Sequence, residues 1–206
     1  VDGVAAEKIT VLNLPTGFWQ VLLAALEAGT ATLPPDVRLV IVGGERMPPD
    51  AWARWHVLTG QAVMGLPRLM NAYGPTEATI TCTVYEQIGA TAKVGMPKSW
   101  GGQVPVGRSF GHALTYLRAP DGSLAPMGAR AELWVGGDAV ALGYLNQPQL
   151  TAERFVANPY GPGRMYRSGD VAHWADGSDA GGSDAGPQLV IAGRSDRQIK
   201  LRGFRI

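Results

Sequence analysis

Four short stretches of the sequence place polar side chains beside glycine in a way that could do chemistry. In Tyr73-Gly74-Pro75-Thr76-Glu77, Gly74 and Pro75 shape a tight turn that lets a ligand approach the backbone. Thr76 offers a hydroxyl to a phosphate oxygen, and Glu77 an oxygen ligand to a hard cation such as Mg2+. Tyr73 offers a ring face on which an aromatic base can stack. In Tyr166-Arg167-Ser168-Gly169-Asp170, the Asp170 carboxylate can accept both hydroxyls of a ribose. Arg194-Ser195-Asp196 supplies a cation for a phosphate and a flexible joint. Gly43-Gly44-Glu45 allows close backbone approach, or is simply a turn; no lysine follows, so it is not a phosphate-binding loop of the Gly-x-x-x-x-Gly-Lys type. Taken one at a time, each stretch reads first as a surface turn with a solvated side chain.

Other chemistries lack support. Of the three histidines, none shares an H-x-x-x-H or H-E-x-x-H spacing, and Cys82 is the only cysteine, so no structural metal site and no internal disulfide are expected. No Gly-x-Ser-x-Gly elbow is present. The 18 basic residues are dispersed and the net charge is +1, which gives no electrostatic case for nucleic acid or an anionic membrane. No apolar run approaches the roughly 20 residues that span a bilayer, and nothing at the start reads as a signal peptide. The lone cysteine fits a reducing cytosol, and the chain is expected to be cytoplasmic.

The elements that must position these residues fall into two kinds. The 206 residues include 28 Gly and 15 Pro, which argues against a helical bundle and for strands joined by turns. Residues 1–95 read as α/β. Strand candidates occupy 9–12, 37–42, 68–72 and 80–85, with a helix over 18–26 that is apolar almost all round and therefore buried. A second helix starts at Pro48-Pro49-Asp50 and carries Trp52 and Trp55 at i, i+3 spacing. Residues 96–192 read as a mostly antiparallel β subdomain resembling a distorted barrel, with strands over 113–118, 131–135, 165–174 and 188–192 and one helix over 150–156. Residues 193–206 read as a joint and a further strand. The pentapeptide Gly-Ser-Asp-Ala-Gly occurs twice in succession over 177–186 and reads as a flexible hairpin tip between strands ending at Trp174 and resuming at Leu189. Both chain ends read as cuts within a longer protein.

Order and spacing change the odds. Asn71-Ala72-Tyr73-Gly74-Pro75-Thr76-Glu77 resembles the "N-x-Y-G-P-T-E" motif of the adenylation domains of nonribosomal peptide synthetases. Ala131-Glu132-Leu133-Trp134-Val135-Gly136-Gly137, then Gly143-Tyr144-Leu145-Asn146-Gln147-Pro148 and Leu150-Thr151-Ala152-Glu153-Arg154-Phe155, are similar to the "G-E-L-x-I-x-G…G-Y-x-N-R-P-x-L-T-A-E-R-F" of the same family. Tyr166 to Asp170 is similar to "Y-R-T-G-D", and Gly193 to Gly203 to "G-R-x-D-x-Q-V-K-I-R-G". The departures are mild: Ala131 for Gly, Gln147 for Arg and Ser168 for Thr, with the hairpin repeat lengthening the gap before Arg194.

The resemblance implies an ATP-dependent ligase that joins an amino acid to AMP and passes the acyl group to the thiol of a phosphopantetheinyl carrier beside neighbouring synthetase domains. Carried over residue by residue, it implies that Tyr73 stacks on adenine, Asn71 contacts its amine, and Gly44, Ala72 and Gly74 lie against the nucleotide. Thr76 touches the α-phosphate, Glu77 holds Mg2+, Asp170 grips the ribose hydroxyls, Ile191 lies at the adenine edge and Arg194 near the ribose. Asp196 matches a hinge. The substrate pocket matches Asn13, Ile41, Gly43, Ala72, Ile80 and Thr81, none charged, which favours a neutral side chain. The phosphate loop, the amine-binding Asp and the catalytic Lys of the family have no match in the 206 residues, so this stretch alone is expected to be inactive. An acyl-CoA or acyl-acid ligase of the same superfamily, or a noncatalytic module of degenerate fold, are the rival readings.

Overall fold

A computed structural model describes residues 2–60, 67–86, 100–177, 186–196, 198, 200–201 and 204–205. Helix α1 (Asp2–Ala6) leads into β1 (Val11–Pro15), α2 (Thr16–Glu27), β2 (Leu39–Gly43), α3 (Pro49–Gly60) and β3 (Arg68–Tyr73). A 3-10 turn (Thr76–Ala78) follows, then β4 (Thr83–Glu86) and β5 (Arg108–Ser109). These strands form one sheet in the order β1-β2-β3-β4-β5, parallel from β1 to β3 and antiparallel thereafter. Parallel neighbours need a crossover, and α2 and α3 supply it. They pack together on one sheet face, where Trp19, Leu23, Val40, Val42 and Trp55 are buried and the Trp19 and Trp55 rings lie 6.0 Å apart.

The second sheet contains β6 (Ala113–Arg118), β7 (Ala131–Gly137), β8 (Phe155–Ala157), β9 (Arg164–Ala175) and β10 (Gln188–Arg194), with α4 (Pro148–Arg154) before β8. Its order is β10-β9-β7-β6 with β8 also on β9, all antiparallel, an open path among the described residues. A two-stranded ribbon, β11 (Lys200–Leu201) with β12 (Phe204–Arg205), comes last. The two large sheets are tied where Val106 N donates to Leu189 O and Leu189 N to Gly107 O, both at 2.8 Å. They also share a core, since Ala175 and Val190 join the cluster around Trp55.

The mixed α/β plus antiparallel architecture is the one expected, with three local differences. Helix α2 is not buried all round: Phe18 and Val21 are 61% and 67% exposed, because only the Trp19–Leu23 face has a partner layer among the described residues. The strand expected over 80–85 begins only at Thr83, because Thr79 and Ile80 adopt φ of 55° and 68°, a turn conformation that no strand accepts. The helix expected over 150–156 stops at Arg154, and Phe155 leaves it to pair with Tyr166 on β9. The hairpin around the repeat is present, with Leu189 opposite Trp174; residues 178–185 lie outside the described residues.

Candidate nucleotide-binding site

Where the two sheets meet, a cavity of about 480 Å³ lies beyond the carboxyl ends of β2 and β3. Open α/β sheets characteristically place ligands there. One side is formed by Gly44 to Met47 after β2 and by Asn71 to Gly74 at the end of β3. The other is formed by Asp170 on β9 and by Ile191, Gly193 and Arg194 on β10, with Gln103, Val104, Val106 and Gln198 completing it.

Each wall has an identifiable cause. The loop after β2 is held by Thr16, a buried hydroxyl at the start of α2 that donates to Gly43 O (3.1 Å) and Glu45 O (3.2 Å). Asn71 is buried in β3, and its Nδ2 donates to Pro105 O at 2.7 Å, leaving Oδ1 as the acceptor end of the amide. On the opposite wall, the register of β9 slips against β7, so that Ser168, Gly169 and Asp170 together span what Leu133 spans alone. Such a bulge re-aims the side chains beside it. Gly169 takes φ 76° there, and a Cβ at that position would sit 2.7 Å from Arg194 Nη2. Ser168 Oγ donates to Leu133 O (2.6 Å) and accepts from Asp170 N (3.0 Å), so the bulge is fixed from inside.

Asp170 and Arg194 are cross-strand partners, and the ion pair between Arg194 Nη1 and Asp170 Oδ1 measures 2.7 Å. Tyr73 OH donates to the other oxygen, Asp170 Oδ2. Arg194 also grips Asp196 with two nitrogens, Nε at 2.7 Å and Nη2 at 2.8 Å. This fork holds the Asp196 carboxyl down at about 2, and the Arg194 guanidinium is pushed up chiefly by the same bond. Burial, and then the Asp170 charge, push the Tyr73 phenol well above its ordinary value, so it is a donor at every working pH.

All eight residues matched to nucleotide contacts, Gly44, Asn71, Ala72, Tyr73, Gly74, Asp170, Ile191 and Arg194, line this one cavity. Thr76 and Glu77 do not line it. They lie in the turn just beyond Gly74, Thr76 exposed and Glu77 buried with Oε1 accepting from Tyr144 OH at 2.7 Å. Of the substrate-pocket residues, Asn13, Ile41, Gly43 and Ala72 follow one another in register on a single sheet face, opposite the helices. Ile80 and Thr81 sit in the turn that follows, and only Ala72 reaches the cavity. Among the described residues, no three His, Cys, Asp or Glu side chains gather into a metal cluster. Glu77 is a single buried carboxylate, and Mg2+ commonly takes one or two carboxylates and completes its shell with water and substrate phosphates.

The model of the AMP-binding enzymes matches residues 1–145, which is more than half of the sequence. The chain belongs to the AMP-binding enzyme family. Gramicidin S synthase 2 of Brevibacillus brevis is 36% identical over 203 residues, covering 98% of this chain and 4% of the synthase. A probable non-canonical nonribosomal peptide synthetase, CymA of Salinispora arenicola, is 39% identical over 206 residues, covering 98% and 2%. The chain thus spans only a few per cent of the curated relatives it matches. Among solved structures, an artificially fused adenylation–PCP di-domain of Klebsiella oxytoca, NpsA-ThdA, superposes with a TM-score of 0.75 at 28% identity, covering 98% of this chain and 36% of that one. IdnL1 superposes at 0.78 over 100% of this chain and 38% of its own length, and at 23% identity it attests the fold. The AMP-binding family and these relatives agree with the motif reading.

Sequence reasoning missed Thr16, Gln103 and Tyr144. Thr16 carries no motif signal, since a Thr at a helix start is ordinary. Tyr144 sits inside a matched motif, but nothing in the sequence says that it reaches back to Glu77. Among the described residues, no helix is long and apolar enough to cross a membrane.

Proposed function

We propose that this chain is the nucleotide-holding part of an ATP-dependent amino-acid-adenylating ligase. A carboxylate oxygen of the amino acid attacks the α-phosphorus of ATP, the acyl–phosphate bond forms and pyrophosphate leaves. The thiol of a phosphopantetheinyl carrier then attacks the acyl carbon, the thioester forms, the acyl–phosphate bond breaks and AMP leaves, within a cytoplasmic synthetase whose other domains flank this one. The observation that carries the reading is the convergence on one cavity of about 480 Å³ of eight residues, from four separate segments, that the resemblance matches to nucleotide contacts.

The roles are those that the resemblance implies, and the donors and acceptors present are compatible with them. Asp170 accepts the ribose hydroxyls, and Arg194 balances its charge. Asn71, with one Nδ2 hydrogen given to Pro105 O, meets the adenine amine with Oδ1. Tyr73 offers its ring to the base while its hydroxyl holds Asp170. Thr76 donates to the α-phosphate. Glu77 supplies the protein's carboxylate to Mg2+, which would neutralise phosphate charge as pyrophosphate departs. Asn13, Ile41, Gly43, Ala72, Ile80 and Thr81 receive a neutral side chain. We take residues 1–95 as the end of the α/β substrate- and ATP-binding subdomain, 96–192 as the β-rich subdomain and 193–206 as the joint, with Asp196 as its pivot.

The test is ATP–pyrophosphate exchange by the full-length protein over a panel of amino acids and simple carboxylic acids. Exchange driven by a neutral amino acid is expected. Exchange only with simple acids would move the protein to the acyl ligases. AMP binding without exchange by any acid would make it a binding module.

A further inference from the structure

Gly143 and Tyr144, with Thr151 seven residues on, lie outside the lining of the nucleotide cavity, and their geometry gives them a different role. Glu77 sits in a 3-10 turn of only three residues. So short an element does little to fix a side chain, and the orientation of this carboxylate depends on what touches it. The segment after β7 lies across the turn as a strap. Ala141 N donates to Glu77 O at 2.9 Å, and Thr79 Oγ1 donates to Ala139 O at 2.7 Å. Those two bonds already join strap to turn. The Tyr144 hydroxyl does something different: it ends on the carboxylate itself, at 2.7 Å from Oε1.

Tyr144 is in turn fixed by α4. Its backbone N–H donates to Thr151 Oγ1 at 2.9 Å, and the Thr151 hydroxyl lies 3.4 Å from its carbonyl oxygen. Gly143 makes this approach possible. It takes φ 148°, and a Cβ there would come within 2.4 Å of Thr151 Cγ2. The Tyr144 ring stands edge-on to Phe155, with centroids 5.3 Å apart. A phenol has one proton to give, and the Tyr144 hydroxyl lies 2.7 Å from Glu77 Oε1 against 3.5 Å from the Tyr166 hydroxyl, so the carboxylate is the nearer acceptor.

We propose that Tyr144 is a positioning residue for Glu77: its hydroxyl holds the carboxylate in the orientation in which it meets the divalent cation that accompanies a nucleotide polyphosphate. Gly143 and Thr151 act through it, by setting where the ring stands. The inference rests on the assignment of Glu77 to the cation. Groups that orient a ligating carboxylate typically change metal affinity by about 10- to 100-fold when removed.

The experiment measures Mn2+ binding to the full-length protein by electron paramagnetic resonance, with α,β-methylene-ATP present so that no turnover occurs. AMP affinity is measured separately without metal. Tyr144→Phe should weaken Mn2+ binding roughly tenfold while leaving metal-free AMP affinity within about twofold. Thr151→Val should act in the same direction and less, and Thr151→Ser, which keeps the hydroxyl, should restore wild-type binding. If Glu77→Gln weakens Mn2+ binding and Tyr144→Phe does not, the positioning role is wrong and the Glu77 assignment survives. If Glu77→Gln has no effect, both fall. If Tyr144→Phe weakens AMP and Mn2+ binding alike, the tyrosine is only a structural tie and the proposal is overturned.

Discussion

The cavity has two sides, and they are built on different physics. On the parallel-sheet side, atoms are held by strand pairing on both flanks of β3 and by neutral groups: the Thr16 hydroxyl on the loop after β2, and the Asn71 amide on Pro105. On the antiparallel side, position and polarity come from one chain of charges. Asp170 pairs with Arg194 and Arg194 forks onto Asp196, while the neutral Tyr73 hydroxyl reaches across from β3 to Asp170. The first side sets shape. The second sets charge, and through Arg194 it joins the cavity to the segment that follows β10. Substitutions on the two sides should therefore fail in different ways.

The largest effect is expected at Asp170. Charge-assisted hydrogen bonds contribute about 1.5–3 kcal/mol each, so losing two to a ribose should weaken AMP binding on the order of 100-fold or more. Asp170→Ala should also lower stability, by about 1–3 kcal/mol, because the part-buried Tyr73 hydroxyl loses its acceptor and Arg194 its partner on β9. Calorimetric AMP titration and thermal melts of the full-length protein report the two effects separately. An unchanged Kd would remove Asp170 from the nucleotide site, whatever the melt shows.

A smaller effect is expected from the neutral side. Thr16→Val keeps volume and removes both hydrogen bonds to the loop carbonyls. At about 1 kcal/mol for a neutral bond, AMP binding should weaken about 5- to 30-fold, with little change in its pH dependence. Thr16→Ser should restore it. If Thr16→Val and Thr16→Ser behave alike, the hydroxyl does not hold the loop and the contrast between the two sides loses its first term.

The same contrast governs what could be read in the sequence. Tyr73, Asp170 and Arg194, which line the cavity, were legible as candidates because the stretches that hold them resemble motifs of one family in order and spacing, although each stretch alone read as a surface turn. The alternation of buried β-branched residues in β2, and Trp52 and Trp55 in α3, likewise announced the α/β layer. What stayed hidden is support from far along the chain. Thr16 acts 27 residues from Gly43, and Tyr144 acts 67 residues from Glu77, and neither spacing leaves a local signature. The strand misread at residues 80–82 has the same origin. Ile80 is β-branched and prefers extended backbone, yet it is held at positive φ in a turn pinned from outside by Thr79 on Ala139. The exposed Phe18 and Val21 of α2 show the reverse limit, since an apolar pattern states that a face wants cover and not which layer supplies it.

The smallest expected effect sharpens the charged side. Asp196 is partly exposed and its contribution is screened, so Asp196→Asn should weaken AMP binding at pH 7 only about two- to fivefold, by loosening Arg194 and through it Asp170. Its signature is the pH dependence. The Asp196 carboxyl sits at about 2 against an ordinary 3.8, chiefly because of the Arg194 hydrogen bond. A carboxyl depressed by folding contributes stability that is fully present above the unfolded value and is lost as pH falls through the folded one. The stability difference between wild type and Asp196→Asn should therefore be flat above about pH 5 and be lost progressively as pH falls through 2 towards about 1. Chemical denaturation at stepped pH measures that difference. Thr16→Val, which removes no titrating group, should show no such step. A step of equal size in both variants would mean that the acid transition belongs to the fold as a whole and not to the Arg194–Asp196 fork.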